Sequence, residues 1–219
     1  MLQGAIFDVD GTLLDSMYIW DNLAANYLLK LGITPKPNIQ DVFKTLSLEE
    51  AAIYYQTEYG VPYSKEEIMT SINQDIETAY FEEACLKPHV PEFLEALKQS
   101  GVKLALATAT DDYLVKAALE RGGVLHYFDA LYTCTMVGSG KSRPDVYRAA
   151  CAAIGTPKDK TMVFEDVLYT VQTAKADGFL TCAVRDSHEK RQTQMQELAD
   201  FYLDDYTQIQ AFSAFCKTI

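Results

Sequence analysis

The sequence predicts an α/β protein: a doubly wound, mostly parallel sheet interrupted near its start by an all-helical insert. Three observations carry that expectation. From Lys87 onward, short apolar runs of β character alternate with helical patterns, as in successive βαβ units. Between Asp15 and Cys85 the apolar residues recur only at helical spacing, with no convincing strand. Polar residues stand at the ends of several strand patterns, namely Asp8 with Asp10, then Thr108, then Glu165 with Asp166. In a parallel sheet all such ends fall on one edge, where open α/β sheets bind ligands. The expected domains are therefore a sheet domain of residues 1–15 and 86–219 and a helical domain of residues 16–85.

Each element has its own local reason. Ala5-Ile6-Phe7 is an apolar run that leads straight into Asp8-Val9-Asp10-Gly11-Thr12, where the glycine and threonine break the strand pattern. Asp15 or Ser16 can cap a helix carried by Ile19, Trp20, Leu23, Tyr27, Leu28 and Leu31 and stopped by Gly32 and Pro35. A second helix follows Ser47 and runs to Gly60. Ser64 with Glu67 forms a capping box before a third, marked by Ile68, Ile72, Ile76 and Tyr80. Pro91 opens a helix to Gly101, and Val102 to Ala107 is a buried strand ending at Thr108. Asp111 or Asp112 starts the next helix, Ala130 to Thr133 is a short strand, and Pro144 opens a helix to Gly155. The remaining strands are Thr161 to Phe164, Leu180 to Val184 and Phe201 to Leu203. Helices are expected before Gly178, around Glu189 to Leu198, and after Asp205.

Composition narrows the function. The 219 residues, 48% hydrophobic, suffice for one good core or a core with a small accessory domain. A net charge of −12 disfavours nucleic acid and anionic membrane as partners. It leaves room for a phosphorylated metabolite, provided a metal and one or two placed cations neutralise the site locally. The five cysteines are scattered without C-x-x-C spacing, and Met1-Leu2-Gln3 leads to Asp8 with neither a basic nor an apolar leader segment. The expectation is a cytoplasmic protein, a monomer or weak homodimer. His89, His126 and His188 stand apart from one another and read as surface or capping residues.

The strand-end residues suit one chemistry in particular. Asp8 and Asp10 leave the strand on the same side, and like charges so close require a divalent cation or a raised pKa. An ionised aspartate can attack phosphorus, and an acid two residues on can protonate the leaving oxygen and then activate water. Thr108 and Lys141 would hold the phosphoryl oxygens, and Asp166 would complete the metal shell.

Asp8-Val9-Asp10-Gly11-Thr12-Leu13 resembles the first motif of the haloacid dehalogenase superfamily. Thr108 matches its second motif, Lys141 in Gly140-Lys141-Ser142-Arg143-Pro144-Asp145 its third, and Glu165-Asp166 its fourth. The resemblance spans nearly the whole chain in order. It implies a Rossmann-like core, a helical cap after the first motif, Mg²⁺, and an aspartyl-phosphate intermediate on Asp8. The metal ligands it implies are Asp8, Asp166 and the backbone carbonyl of Asp10, with Glu165 behind them. The phosphate would be held by Thr108, Ala109 and Lys141.

Two departures stand out: the family usually has serine after the Glu-Asp pair and glycine three residues later, where this chain has Val167 and Thr170. They bear on metal affinity. Asp10 disfavours dehalogenase and phosphonoacetaldehyde hydrolase chemistry. A β-phosphoglucomutase-like enzyme would carry a cap histidine at the place of Trp20, so hydrolysis of a sugar phosphate or nucleotide-like ester is the first expectation, with a mutase or a non-catalytic metabolite binder behind it. Trp20 and Lys44 are candidate specificity residues.

Overall fold

The computed structural model describes residues 1–43, 46 and 48–219. Its strands are β1 (Gly4–Phe7), β2 (Leu14–Asp15), β3 (Cys85–Leu86), β4 (Lys103–Thr108), β5 (Ala130–Thr133), β6 (Thr161–Glu165), β7 (Leu180–Val184) and β8 (Phe201–Leu203). The helices are α1 (Met17–Lys30), α2 (Ile39–Phe43), α3 (Leu48–Tyr59), α4 (Lys65–Thr78), α5 (Val90–Gln99), α6 (Asp112–Arg121), α7 (Cys134–Val137), α8 (Asp145–Ile154), α9 (Leu168–Ala176), α10 (Gln192–Leu198) and α11 (Ile209–Cys216). By contacts the chain divides into two compact units, one of Met1–Asp15 with Ala84–Ile219 and one of Ser16–Glu83.

The larger unit holds a six-stranded sheet in the order β5-β4-β1-β6-β7-β8, with every neighbouring pair parallel. This is the doubly wound α/β fold, and the chain starts in the middle of the sheet. It first winds outward through β4 and β5, then returns past β1 to β6 and winds the other way. The reversal falls between β1 and β6, and their carboxyl ends flank the crevice that a reversed winding opens. Phe7 lies opposite Phe164 in this pair, which brings Asp8 and Glu165 to the same level at the edge.

Alternation along β1 buries both faces of the strand. Ile6 joins Ala105, Val163 and the α8 residues Val146, Tyr147, Ala150 and Ile154 in one cluster. Phe7 stacks on Phe164 at 4.1 Å, and Phe164 meets Phe93 and Phe212 on the opposite face. Strands covered on both sides need apolar residues at every position, so they read as continuous apolar runs. A two-stranded antiparallel pair, β2 with β3, lies where the chain leaves and re-enters this unit.

The smaller unit has its own core of Ala24, Leu28, Ile39, Ala52, Tyr55, Ile68 and Ile72 among others. Tyr55 is fully buried and donates its hydroxyl to the Ala24 carbonyl at 2.8 Å, so the phenol enters the core with its polar end satisfied. The Ser64–Glu67 capping box forms at the start of α4. Among the described residues no helix is long and apolar enough to cross a membrane.

Some local expectations change. The helix expected around Glu189 begins only at Gln192, because the Glu189 carboxylate accepts the backbone N–H groups of Leu168 and Arg191 and holds its own segment in a turn. The helices α2 and α7 and the pair β2–β3 are too short to give a readable period. Asp145 pairs with Ser139 and Arg143 on the loop before α8.

Candidate active site

The centre of the site is the carboxyl end of β1. The Asp8 backbone N–H donates to the Phe164 carbonyl at 3.0 Å, extending the β1–β6 register by one residue. The chain then turns sharply: Leu13 and Leu14 both donate to the Val9 carbonyl, and Gly11 adopts φ +74, which glycine takes without steric cost. That turn returns Thr12 beneath the site, where its hydroxyl reaches Asp166 at 3.3 Å and its carbonyl accepts from buried Tyr206.

Lys141, on the loop before α8, is 6% exposed and donates to both Asp8 Oδ1 and Glu165 Oε1, the latter at 2.8 Å. Tyr147, in the first turn of α8, donates to the same Glu165 oxygen at 2.7 Å. The other oxygen, Glu165 Oε2, is buried and accepts no hydrogen bond from the described residues. Oxygens of Asp8, Glu165 and Asp166 all lie within 4.8 Å of one another. Glu165, expected behind the metal ligands, thus offers an oxygen in the same cluster as Asp8 and Asp166.

The electrostatics follow from that crowding. Three buried carboxylates face one ammonium, a formal surplus of two negative charges. Burial first, and Glu165 second, push the Asp8 carboxyl up to about 7 despite the opposing pull of Lys141. Asp166 is raised well above the usual carboxylate range by burial, Asp8 and Glu165. Burial alone would lower the pKa of Lys141, but Asp8 and Glu165 outweigh it and hold the lysine above its ordinary value. A buried cluster of hard oxygens with surplus charge and one orphaned lone-pair donor fits a small divalent cation, whose charge would relieve all of these shifts together.

Asp10 sits beside this cluster, half-buried, with the Thr110 hydroxyl donating to its Oδ2 at 2.7 Å. Thr108 is fully buried at the end of β4, and its oxygen accepts the Thr110 N–H, which leaves its own O–H as a donor. Ala109 is exposed in the turn that follows. Trp20 belongs to the helical unit, 38% exposed and edge-on to Tyr80. Lys44 lies outside the described residues. Arg143 is largely exposed and paired with Asp145.

Sequence reasoning missed Thr110 and Tyr147. Thr110 follows the second motif by two residues, and Tyr147 is six residues beyond Lys141 on the buried face of α8; neither position carries a chemical signal until the fold brings it to the cluster.

The sequence profile described as haloacid dehalogenase-like hydrolase matches residues 5–184. The chain belongs to the haloacid dehalogenase-like hydrolases. Among curated relatives, validoxylamine A 7'-phosphate phosphatase from Streptomyces hygroscopicus subsp. limoneus is 25% identical over 95% of this chain and 96% of its own length. Phosphorylated carbohydrates phosphatase of Thermotoga maritima is 26% identical over 81% of this chain and 82% of its own. Hexitol phosphatase B of Escherichia coli is 24% identical over 96% and 95%. Solved structures share the fold: a Thermotoga maritima chain superposes with a TM-score of 0.83 at 22% identity over 97% of this chain and 99% of that one. CbbY from Rhodobacter sphaeroides in complex with phosphate gives 0.74 at 23% identity over 95% and 96%. Within this hydrolase family the curated relatives above are all phosphatases by name, and each acts on a phosphorylated small molecule.

Proposed function

We propose that this haloacid dehalogenase-like hydrolase is a Mg²⁺-dependent phosphatase of small phosphorylated metabolites, phosphorylated carbohydrates first among them, working through an aspartyl-phosphate on Asp8. The observation that carries the reading is the buried cluster of Asp8, Glu165, Asp166 and Lys141 at the point where the sheet reverses its winding. Relatives named as carbohydrate and hexitol phosphatases support the substrate class.

Asp8, Glu165 and Asp166, with the Asp10 backbone carbonyl, would hold the Mg²⁺. When bound, the ion supplies the positive charge that lets Asp8 stay ionised beside an approaching phosphoryl group. An Asp8 oxygen attacks phosphorus and the P–O bond to the substrate breaks, while the leaving oxygen takes the proton of Asp10. Water then attacks the phosphorus of the acyl phosphate, Asp10 receives its proton, and Asp8 is released with inorganic phosphate. Lys141 counters the charge that develops on the phosphoryl oxygens, and the Thr108 hydroxyl and the backbone of Ala109 bind them. Thr110, which donates to Asp10, holds that carboxyl toward the leaving oxygen.

Phosphate release measured over a panel of sugar, hexitol and nucleotide monophosphates tests the reading. Turnover of at least one ester, lost in Asp8→Asn and on chelation, is expected; turnover that survives either treatment sinks it. Trp20, at the place where a mutase of this family carries histidine, argues against phosphoryl handover between two sugar positions. Given β-glucose 1-phosphate and a bisphosphate primer, the enzyme is expected to release phosphate faster than it forms glucose 6-phosphate.

A further inference from the structure

The helix that follows Glu165-Asp166 starts without a cap of its own. Val167 occupies the N-cap position with extended backbone, φ −114 and ψ 136, and its side chain has no acceptor to offer the first-turn N–H groups. The buried N–H of Leu168 instead donates to Glu189 Oε2 at 3.0 Å, from a turn beyond β7 and 21 residues away in sequence. Glu189 is itself 8% exposed and tightly held. Its Oε1 accepts the backbone N–H of Arg191 at 2.9 Å and that residue's Nε at 2.8 Å, while a terminal guanidinium nitrogen closes on Oε2 at 2.6 Å. Gln192 donates to the Glu189 carbonyl and accepts from Tyr202 on β8, fixing the turn against the sheet. Thr170 completes the arrangement: its hydroxyl donates back to the Val167 carbonyl at 2.6 Å.

These contacts supply at the start of α9 the acceptor that Val167 lacks. A carboxylate at a helix N-terminus meets an orphan N–H and the positive end of the helix dipole. Arg191, by forking both carboxylate oxygens, keeps that charge paired. Leu168 is two residues past Asp166, so this first turn continues the backbone that carries Asp166, whose carboxylate also meets the Thr12 hydroxyl at 3.3 Å.

We propose that Glu189 is a positioning residue that caps α9 in place of residue 167, and that through this cap it fixes Asp166 for metal binding. The metal-binding half rests on the reading of Asp166 as a Mg²⁺ ligand; the capping half does not.

The test uses full-length protein carrying Glu189→Ala, the double variant Val167→Ser with Glu189→Ala, and Arg191→Ala. In metal-free protein, hydrogen exchange at the Leu168, Tyr169 and Thr170 amides reports the cap. Calorimetric titration with Mg²⁺, well below the melting temperature, reports the metal site. Direct outer contacts of metal ligands carry about 10- to 100-fold in affinity; Glu189 bonds Leu168 rather than a ligand, so Glu189→Ala is expected to weaken Mg²⁺ binding by no more than the low end of that range, about 10-fold. First-turn exchange should rise by a similar factor. A serine at 167 would accept the N–H of Tyr169 or Thr170 and so cap the same first turn through a different donor, and it should return exchange at those amides and Mg²⁺ affinity to within about 3-fold of the unsubstituted protein. Arg191→Ala, which leaves the glutamate in place but loose, should shift both about 3-fold in the same direction. It decides the matter if Glu189→Ala does not fold: unchanged values in Arg191→Ala then overturn the proposal. Unchanged exchange and Mg²⁺ affinity in folded Glu189→Ala overturn it, as does a double variant that folds but recovers neither. An unsubstituted protein that binds no Mg²⁺ overturns the metal-site reading and the positioning half with it, while amide exchange still decides the cap.

Discussion

Lys141 shows how one residue ties the site together, since its ammonium bridges Asp8, just past the end of β1, and Glu165, the last residue of β6. Replacing it by alanine leaves three buried carboxylates without a protein cation, so Lys141→Ala is expected to lower kcat by at least about 100-fold, as for loss of one preorganised electrostatic donor. Steady-state phosphate release checks this. Tyr147 acts one step back, holding the Glu165 oxygen that Lys141 also holds. Tyr147→Phe keeps the ring packing and removes a single hydrogen bond to a charged group, so a loss of about 1–3 kcal/mol in folding stability is expected by urea unfolding. Thr110 belongs to the same scale, because its bond to Asp10 matters only if Asp10 moves a proton. Thr110→Val should slow hydrolysis of alkyl phosphates, whose leaving oxygen needs a proton, far more than that of 2,4-dinitrophenyl phosphate, whose leaving group does not. Equal loss on both would make Thr110 merely structural.

At the scale of elements, short segments are held by long-range polar contacts that no local pattern encodes. The turn before α10 is one case. Arg191 foremost, against the opposing effect of burial, draws the Glu189 carboxyl from 4.5 down to about 2. A depressed carboxylate stabilises the fold above its unfolded pKa and loses that contribution as pH falls through the folded value. The stability lost in Glu189→Gln, about 1–3 kcal/mol at pH 7, should therefore shrink between pH 4.5 and 2, as urea unfolding at stepped pH would show. Capping is local at α4, by contrast, where Ser64 and Glu67 satisfy each other's backbone within four residues. There Ser64→Ala should cost about 1 kcal/mol in thermal or urea unfolding. This difference explains what could be read in advance. The capping box on α4 is a sequence pattern, whereas the cap on α9 needs β7 and β8 in place before Glu189 has anything to reach.

For the whole molecule, the opposing facts are a net charge of −12 and a site that must accept an anion. Under the proposed function a cation bound at the buried acidic cluster reconciles them. A ligand that binds the native state alone stabilises it by mass action, so Mg²⁺ at about 100 times its Kd should add about 2.7 kcal/mol of stability. Asp166→Asn should abolish that increment, measured as the shift in melting temperature with and without Mg²⁺. The family also became legible at this scale, because the four motifs appear in order along nearly the full chain.

By itself the sequence determined the fold class, because alternating strand and helix patterns leave few topologies once connections are short and crossovers right-handed. It also determined the residues to examine, since carboxylates, a threonine and a lysine at strand ends are conspicuous however the chain is folded. Only the tertiary structure decided what these residues touch. The pairing of Phe7 with Phe164 put Asp8 level with Glu165 and made Glu165 part of the cluster. Burial on α8 brought Tyr147 to the same oxygen as Lys141, and the turn after β7 brought Glu189 to Leu168. The physical reason is the range of the interactions: helix and strand periodicity is written within a few residues, while a buried charge is satisfied by whichever partners the packing of distant elements delivers.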